Sequence, residues 1–240
     1  MASLSKRLSL IADMAGVNPD STIADIGCDH GFLSIELLKR NAAKSVICAD
    51  VNEGPLGKAK ENFAIAGLSE KAAFILSNGF EKIEDGTADI AVIAGMGGLL
   101  IADIINSSFE KVKKYKKLIL SPQSDIPEVR KFLKEKDFFV SEERIVYDMG
   151  KFYTVMVVNP LSKSEDLTET ELFFGKHLIL NKDEVFFDYL NHRVRVLESI
   201  ISGIKSDEKN ALSNADRLLE LTDELQKTKE ILKQHGQDKN

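Results

Sequence analysis

From residue 22 to residue 159, short runs of β-branched and aliphatic residues alternate with longer amphipathic stretches. A chain written this way folds into a parallel sheet flanked by helices. The runs at 22–26, 45–50, 73–76, 88–94 and 118–121 read as strands, and the stretches at 31–39, 54–66, 98–105 and 125–134 read as helices. A further helix over 5–15, with Leu8, Ile11, Ala12 and Ala15 on one face, precedes the first strand. The alternation breaks at two strand-like runs, 138–147 and 152–159, joined only by Asp148-Met149-Gly150-Lys151. A joint that short cannot cross over a sheet, so these two runs form an antiparallel hairpin.

Five βα units closed by a hairpin differ from the six parallel strands of a nicotinamide-binding domain and match the class I, Rossmann-like methyltransferase sheet. At 240 residues the chain has room for that domain and an appendage. Pro160 and the polar stretch 162–168 read as a linker, placing a catalytic domain at 1–160 and a helical domain at 161–240. In the tail, Phe187, Leu190, Val194, Leu197, Ile201 and Ile204 recur at alternating spacings of three and four, as do Leu218, Leu221, Leu225, Thr228 and Leu232. With a polar turn at 205–210 between them, the two helices are expected to fold back as an antiparallel coiled-coil hairpin. The seam is taken as an intramolecular core, and the chain as a monomer.

The first strand runs out through Asp25-Ile26-Gly27-Cys28-Asp29-His30-Gly31 directly into a helix. Glycine at such an exit lets backbone amides approach a ligand closely, and the helix start offers unpaired N–H groups. Where a dinucleotide loop carries its middle glycine, this chain has Asp29. A carboxylate there repels a pyrophosphate and can receive an ammonium group, which favours S-adenosylmethionine over a nicotinamide cofactor. The second strand ends in Asp50, placed to accept from both hydroxyls of a ribose. Asn78-Gly79 follows the third strand, and the Asn78 carbonyl could accept from an adenine amine. The fourth strand ends in Ala94-Gly95-Met96-Gly97-Gly98, where enzymes of this fold hold the methyl acceptor. Cys28 and Cys48 are read as buried structural thiols of a reducing compartment, so the cytoplasm is expected. The longest nearly uncharged run, 90–102, is too short to span a membrane. His30, His177, His192 and His235 lack metal-ligand spacing, so no metal is expected.

Several segments together carry a family resemblance: Leu4-Ser5-Lys6-Arg7-Leu8, the 24–30 loop, Gly54-Pro55, Ile93-Ala94-Gly95-Met96-Gly97-Gly98, Leu118-Ile119-Leu120-Ser121-Pro122-Gln123 and Gly150-Lys151-Phe152-Tyr153. In these the chain resembles the bacterial tRNA (adenine-N1)-methyltransferases that act on adenine 22 of tRNA. It departs from some relatives by Cys28 where Ser is common, Phe32 where Tyr is common and Gln123 where Asn occurs. The resemblance implies S-adenosyl-L-methionine as cofactor, tRNA as partner, and a C-terminal helical hairpin that helps engage it. The cofactor-binding set is then Arg7, Asp25, Gly27, Cys28, Asp29, His30, Asp50, Asn78, Gly79, Gly95, Met96 and Gly97. Asp29, Gln123 and Tyr153 are assigned to catalysis, the last two bordering the target base.

Charge bounds where RNA could bind. The chain carries 32 basic and 38 acidic residues, net −6. Residues 161–240 hold 12 basic against 16 acidic groups, net −4, leaving residues 1–160 at 20 against 22, net −2. An RNA surface must therefore be local. Lys111, Lys113, Lys114, Lys116 and Lys117 form the densest cationic run, with Arg130, Lys131, Lys134 and Lys136 as a second cluster. The acidic balance also suits a small-molecule methyltransferase, and the tail a non-catalytic adaptor. Methyl transfer to a tRNA transcript separates all three.

Overall fold

A computed structural model describes residues 4–206 and 213–237 and forms each expected strand within two residues of its expected limits. The strands are β1 (Thr22–Ile26), β2 (Ser45–Asp50), β3 (Ala72–Leu76), β4 (Ile90–Ala94), β5 (Lys117–Ser121), β6 (Phe139–Asp148) and β7 (Lys151–Asn159). They form one seven-stranded sheet in the order β3-β2-β1-β4-β5-β7-β6. β1 to β5 are parallel and β7 is antiparallel to both β5 and β6. The reversal follows from the two-residue turn: Met149 and Gly150 both have positive φ, 46° and 83°, the twist that matches a tight hairpin.

Helices α1 (Lys6–Ala15), α2 (Phe32–Lys39) and α3 (Glu53–Ala66) cover one face, where Ile11, Ile23, Leu37 and Phe63 are fully buried. α4 (Gly98–Ser107), the short α5 (Phe109–Val112) and α6 (Ile126–Glu135) cover the other, over Ile93, Ile101, Leu120 and Leu133. Each such side chain contributes roughly 1.5–3 kcal/mol by leaving water. The ends of α1 are set locally: the Ser5 hydroxyl accepts the Leu8 N–H at 3.3 Å, and Gly16 leaves the helix at φ 78°.

The expectation of five βα units is corrected to four, because residues 77–89, between β3 and β4, contain no helix. Gly79 and Gly86 turn the chain at φ 56° and 77°. Phe80 and Ile83, both essentially unexposed, fill the space a helix face would occupy. The loop is held from outside, since Lys111 Nζ donates to the carbonyls of Phe80 at 2.8 Å and Ile83 at 2.6 Å.

The expected boundary at residue 160 falls within the first of two compact units. The chain divides into compact units at Met1–Gly175 and Lys176–Asn240. Arg130, 4% exposed, pairs with buried Glu143 at 2.7 Å and donates to the carbonyls of Leu172, Phe173 and Phe174 at 3.2, 2.7 and 3.3 Å. It thereby caps α7 (Glu169–Phe174), a helix started by a Thr168–Glu171 capping box. Ser164 meanwhile donates to Asp137 from both its N–H and its hydroxyl at 2.9 Å, so the polar stretch is tied down.

In the second unit, α8 (Lys176–Asn181) precedes α9 (Glu184–Lys205) and α10 (Ala215–Gln237). Every seam residue on these two long helices is less than fully exposed, with Phe187, Leu190, Leu197, Ile201 and Thr228 buried. Arg193 pairs with Glu224, and Lys229 with Glu198 at 2.7 Å, so α9 and α10 are linked across the seam. Of the expected turn at 205–210, residues 207–210 lie outside the described residues.

Candidate active site

A cavity of about 480 Å³ opens at the C-terminal edge of the sheet, lined by the residues that follow β1, β2, β3, β4 and β5. That volume is in the range of small-molecule sites, at the edge where open α/β sheets bind ligands. It brings together Arg7, Asp25, Gly27, Cys28, Asp29, His30, Asp50, Asn78, Gly79, Gly95, Met96 and Gln123.

The loop after β1 is shaped by glycine. Gly27 has φ 72°, and a Cβ there would lie 2.0 Å from Met96 Cε. The N–H groups of Gly27 and Cys28 both donate to the Ala49 carbonyl, at 2.8 and 3.1 Å, which holds the loop against the end of β2. Asp29 is itself left-handed, at φ 51°, and its N–H donates to Asp50 Oδ2 at 3.2 Å. Asp50 Oδ1 accepts from Asn52 N–H at 2.9 Å, so both carboxylate oxygens are aimed by backbone. Asn62 donates to the His30 carbonyl at 2.9 Å, fixing the loop's exit.

Three carboxylates face this end of the cavity. Asp25 is 3% exposed and accepts from the Ser34 hydroxyl at 2.6 Å. Burial pushes its acid group up to about 6; the Ser34 bond opposes the shift and the Asp50 charge adds to it. The Asp29 side chain stands exposed at the cavity rim, with His30 Nε2 3.6 Å from it. At the other end the Arg7 guanidinium lies about 3.4 Å from where a Cβ of Gly95 would be, beside the Gln123 amide. The two ends differ in charge: acids around the loop after β1, a single fixed cation by Gly95. Such a cavity suits a ligand bearing positive charge and repels a pyrophosphate. The acids around the loop after β1, with Asp50 held by two backbone N–H groups, fit an adenosyl sulfonium compound.

Two expected residues do not line the cavity. Gly97 instead starts α4, where a Cβ would press within 3.2 Å of the Ser124 hydroxyl. Tyr153 lies behind Arg7, whose guanidinium carbon sits 5.0 Å from the ring centroid. Asn78 points its amide nitrogen at Glu81, at 2.9 Å, which leaves its carbonyl oxygen available. Both cysteines are buried, and contact with Cys48 together with burial pushes the Cys28 thiol well above its ordinary range, so neither is a nucleophile. Sequence reasoning missed the apolar lining of Leu8, Phe32, Val51, Leu100 and Ile104, and missed Ser34. The available signal for Ser34 was a small polar residue inside the apolar run of α2.

The lysine run lies at the opposite edge, since Lys117 is the first residue of β5. Its ammonium groups are occupied within the chain. Lys114 and Lys116 pair with Asp85 and Asp89 at 2.5 and 2.8 Å, and Lys117 donates to the Ala15 carbonyl at 3.2 Å. Among the described residues, no group of three or more His, Cys, Asp or Glu could hold a metal ion, and no helix is long and apolar enough to cross a membrane.

Comparison with known proteins places this geometry. Residues 23–230 match the family model described as tRNA (adenine(22)-N(1))-methyltransferase. A Bacillus subtilis enzyme of that name is 30% identical over 237 residues, covering 97% of this chain and 98% of its own. A Streptococcus pneumoniae protein solved with S-adenosyl-L-methionine superposes with TM-score 0.85 at 31% identity, covering 96% of this chain and 100% of that one. An M. capricolum protein solved with S-adenosyl-homocysteine gives TM-score 0.81 at 26% identity, over 95% and 97% of the two chains. Matching the family model over residues 23–230 and its relatives over nearly its whole length, the chain belongs to the tRNA (adenine(22)-N(1))-methyltransferase family.

Proposed function

We propose that this chain methylates N1 of adenine 22 in tRNA, using S-adenosyl-L-methionine held across the ends of β1 to β4. The observation that carries this reading is the cavity itself, acidic at the loop after β1, in a chain of this family. Asp50 accepts from the ribose hydroxyls, and the Asn78 carbonyl takes the adenine amine. Asp29 and His30 hold the amino-acid end, with Asp25 beneath them adding negative potential. The glycines at 27 and 79 let Met96 and Ile104 pack close to the loops that line the cavity, and Arg7, which lines the same cavity, is assigned to the cofactor. When bound, the cofactor supplies an electrophilic methyl group.

Adenine N1 has a free lone pair at neutral pH, so the chain need not remove a proton before attack. Its contribution is position: the Gln123 amide borders the base, and alignment can carry much of the rate. Methylation leaves the ring cationic, and the carbonyls around Gly95 and Met96, with the Asp29 carboxylate, stabilise that charge. Tyr153 acts as a positioning residue, holding Arg7 by its ring face. Work on tRNA sets the chain in the cytoplasm, where the helical unit helps engage the RNA.

The test is incubation with cofactor and an unmodified tRNA transcript carrying adenine 22, followed by nucleoside analysis. The expected product is 1-methyladenosine at position 22, lost in a transcript with guanine there. Cofactor binding without RNA methylation would sink the reading, as would methylation of a metabolite alone.

A further inference from the structure

The tip of the β6–β7 hairpin is left unexplained by the cofactor site. β6 runs antiparallel to β7, and β7 antiparallel to β5, so β6 ends at the same sheet edge as the cavity. Tyr147 and Phe152 are opposite one another in the ladder, with ring centroids 4.8 Å apart. Tyr147 is 50% exposed, and Met149 at the turn is 89% exposed. Strand alternation puts Phe152 on the sheet face of Met156 and Val158, and Tyr153 on the opposite face with Arg7. The tip and the start of α1 are nonetheless joined, because Asp148 at the tip accepts the Arg7 N–H.

The tip carries one acid, Asp148, among the cations of Lys6 and Lys151. Asp148 is turned toward the start of α1, where its Oδ2 accepts the Arg7 N–H at 3.0 Å. That bond, with further ones from Ser5 and Lys6, holds its acid group below the ordinary range. A carboxylate at a helix N-terminus is offset by the helix dipole. Arg144 is matched by Glu142 at 2.7 Å. Lys6 and Lys151 remain exposed beside the turn. An exposed tyrosine backed by a half-buried phenylalanine and flanked by lysines is a combination that stacks unpaired bases and tracks their phosphates.

We propose that Tyr147, Met149 and Phe152, with Lys6 and Lys151, form a docking surface for an unpaired nucleotide next to the target adenine. This rests on the tRNA methyltransferase reading, and deepens it by assigning the hairpin tip to RNA rather than to sheet closure alone. Tyr147 supplies the stacking face and the lysines meet the flanking phosphates. The turn reaches the RNA while Tyr153, on the other face, steadies Arg7.

Steady-state methylation and filter binding with the full-length protein and tRNA transcript test it. Tyr147→Ala is expected to raise KM for tRNA roughly tenfold, with kcat at saturating tRNA and cofactor affinity unchanged. Tyr147→Phe, which keeps the ring, should restore KM. Lys6→Ala with Lys151→Ala should reduce the slope of log affinity against log salt by roughly 1.4, the share of two phosphate contacts on a single strand. If wild-type protein methylates tRNA but these variants leave KM and salt slope unchanged, the docking surface is wrong and the methyltransferase reading stands. If the wild-type protein methylates no tRNA, the functional reading itself fails. A change in sedimentation on Tyr147→Ala with unaltered RNA affinity would assign the tip to a protein interface and overturn the proposal.

Discussion

A carboxyl group taken out of water beside another carboxylate holds its proton longer than a surface acid, and Asp25 holds its own up to about pH 6. Its folded value lies above the ordinary 3.8, so between these values the folded protein binds more protons than the unfolded chain. Stability from this group is therefore greatest on the acid side and falls as pH rises toward 6, a loss of up to about 3 kcal/mol. Asp25→Asn should remove the loss. Thermal unfolding of the variant is expected to match wild type near pH 4 and exceed it at pH 8, while cofactor affinity drops; equal melting at both pH values would contradict the buried-acid account. The acids of this site were legible in the sequence because Asp25, Asp29 and Asp50 sit at strand exits, where polar residues must face something. Val51 and Leu100 were not, because an aliphatic residue lining a ligand cavity reads in sequence like one in the core. The depth of Asp25 was also hidden, since it depends on Ser34 from the next helix closing over it.

At the scale of elements, the strand and helix limits were readable because each apolar run ends at its own turn residues, as β1 does at Gly27 and α1 at Gly16. The β3–β4 connection carries no helical periodicity, and Phe80 and Ile83 supply its core contacts instead. What ties residues 172–174 to the first unit is hidden in the sequence: Arg130, within a basic cluster, is buried and bonded to Glu143 and to three carbonyls. A charge left unpaired there is costly. Arg130→Met alone should destabilise the first unit by about 3–5 kcal/mol in chemical denaturation, and adding Glu143→Leu should recover much of it. If Arg130→Met cost no more than a surface substitution, the clamp would carry little weight.

For the whole molecule, position decides more than the sum of charges. The cationic run that looked best suited to RNA lies at the edge away from the cavity and is matched by Asp85, Asp89 and loop carbonyls. Lys113→Ala, Lys114→Ala and Lys116→Ala together should leave KM for tRNA within about twofold, because exposed, already paired lysines contribute little. A tenfold rise would return that edge to the RNA interface. Periodicity locates a helix end, but which sheet edge the end occupies emerges only from strand direction. The bond from Arg7 to Asp148 has a consequence in time: it joins residues 141 positions apart. β5 must also wait for β7 to cover its far side. As the chain leaves the ribosome, the loop after β1 and the end of β2 can meet early, yet the Arg7 end has no seat until residues near 153 have emerged. Methyl transfer must thus await the hairpin during synthesis, and nascent chains lacking it hold only the acid-lined half of the site.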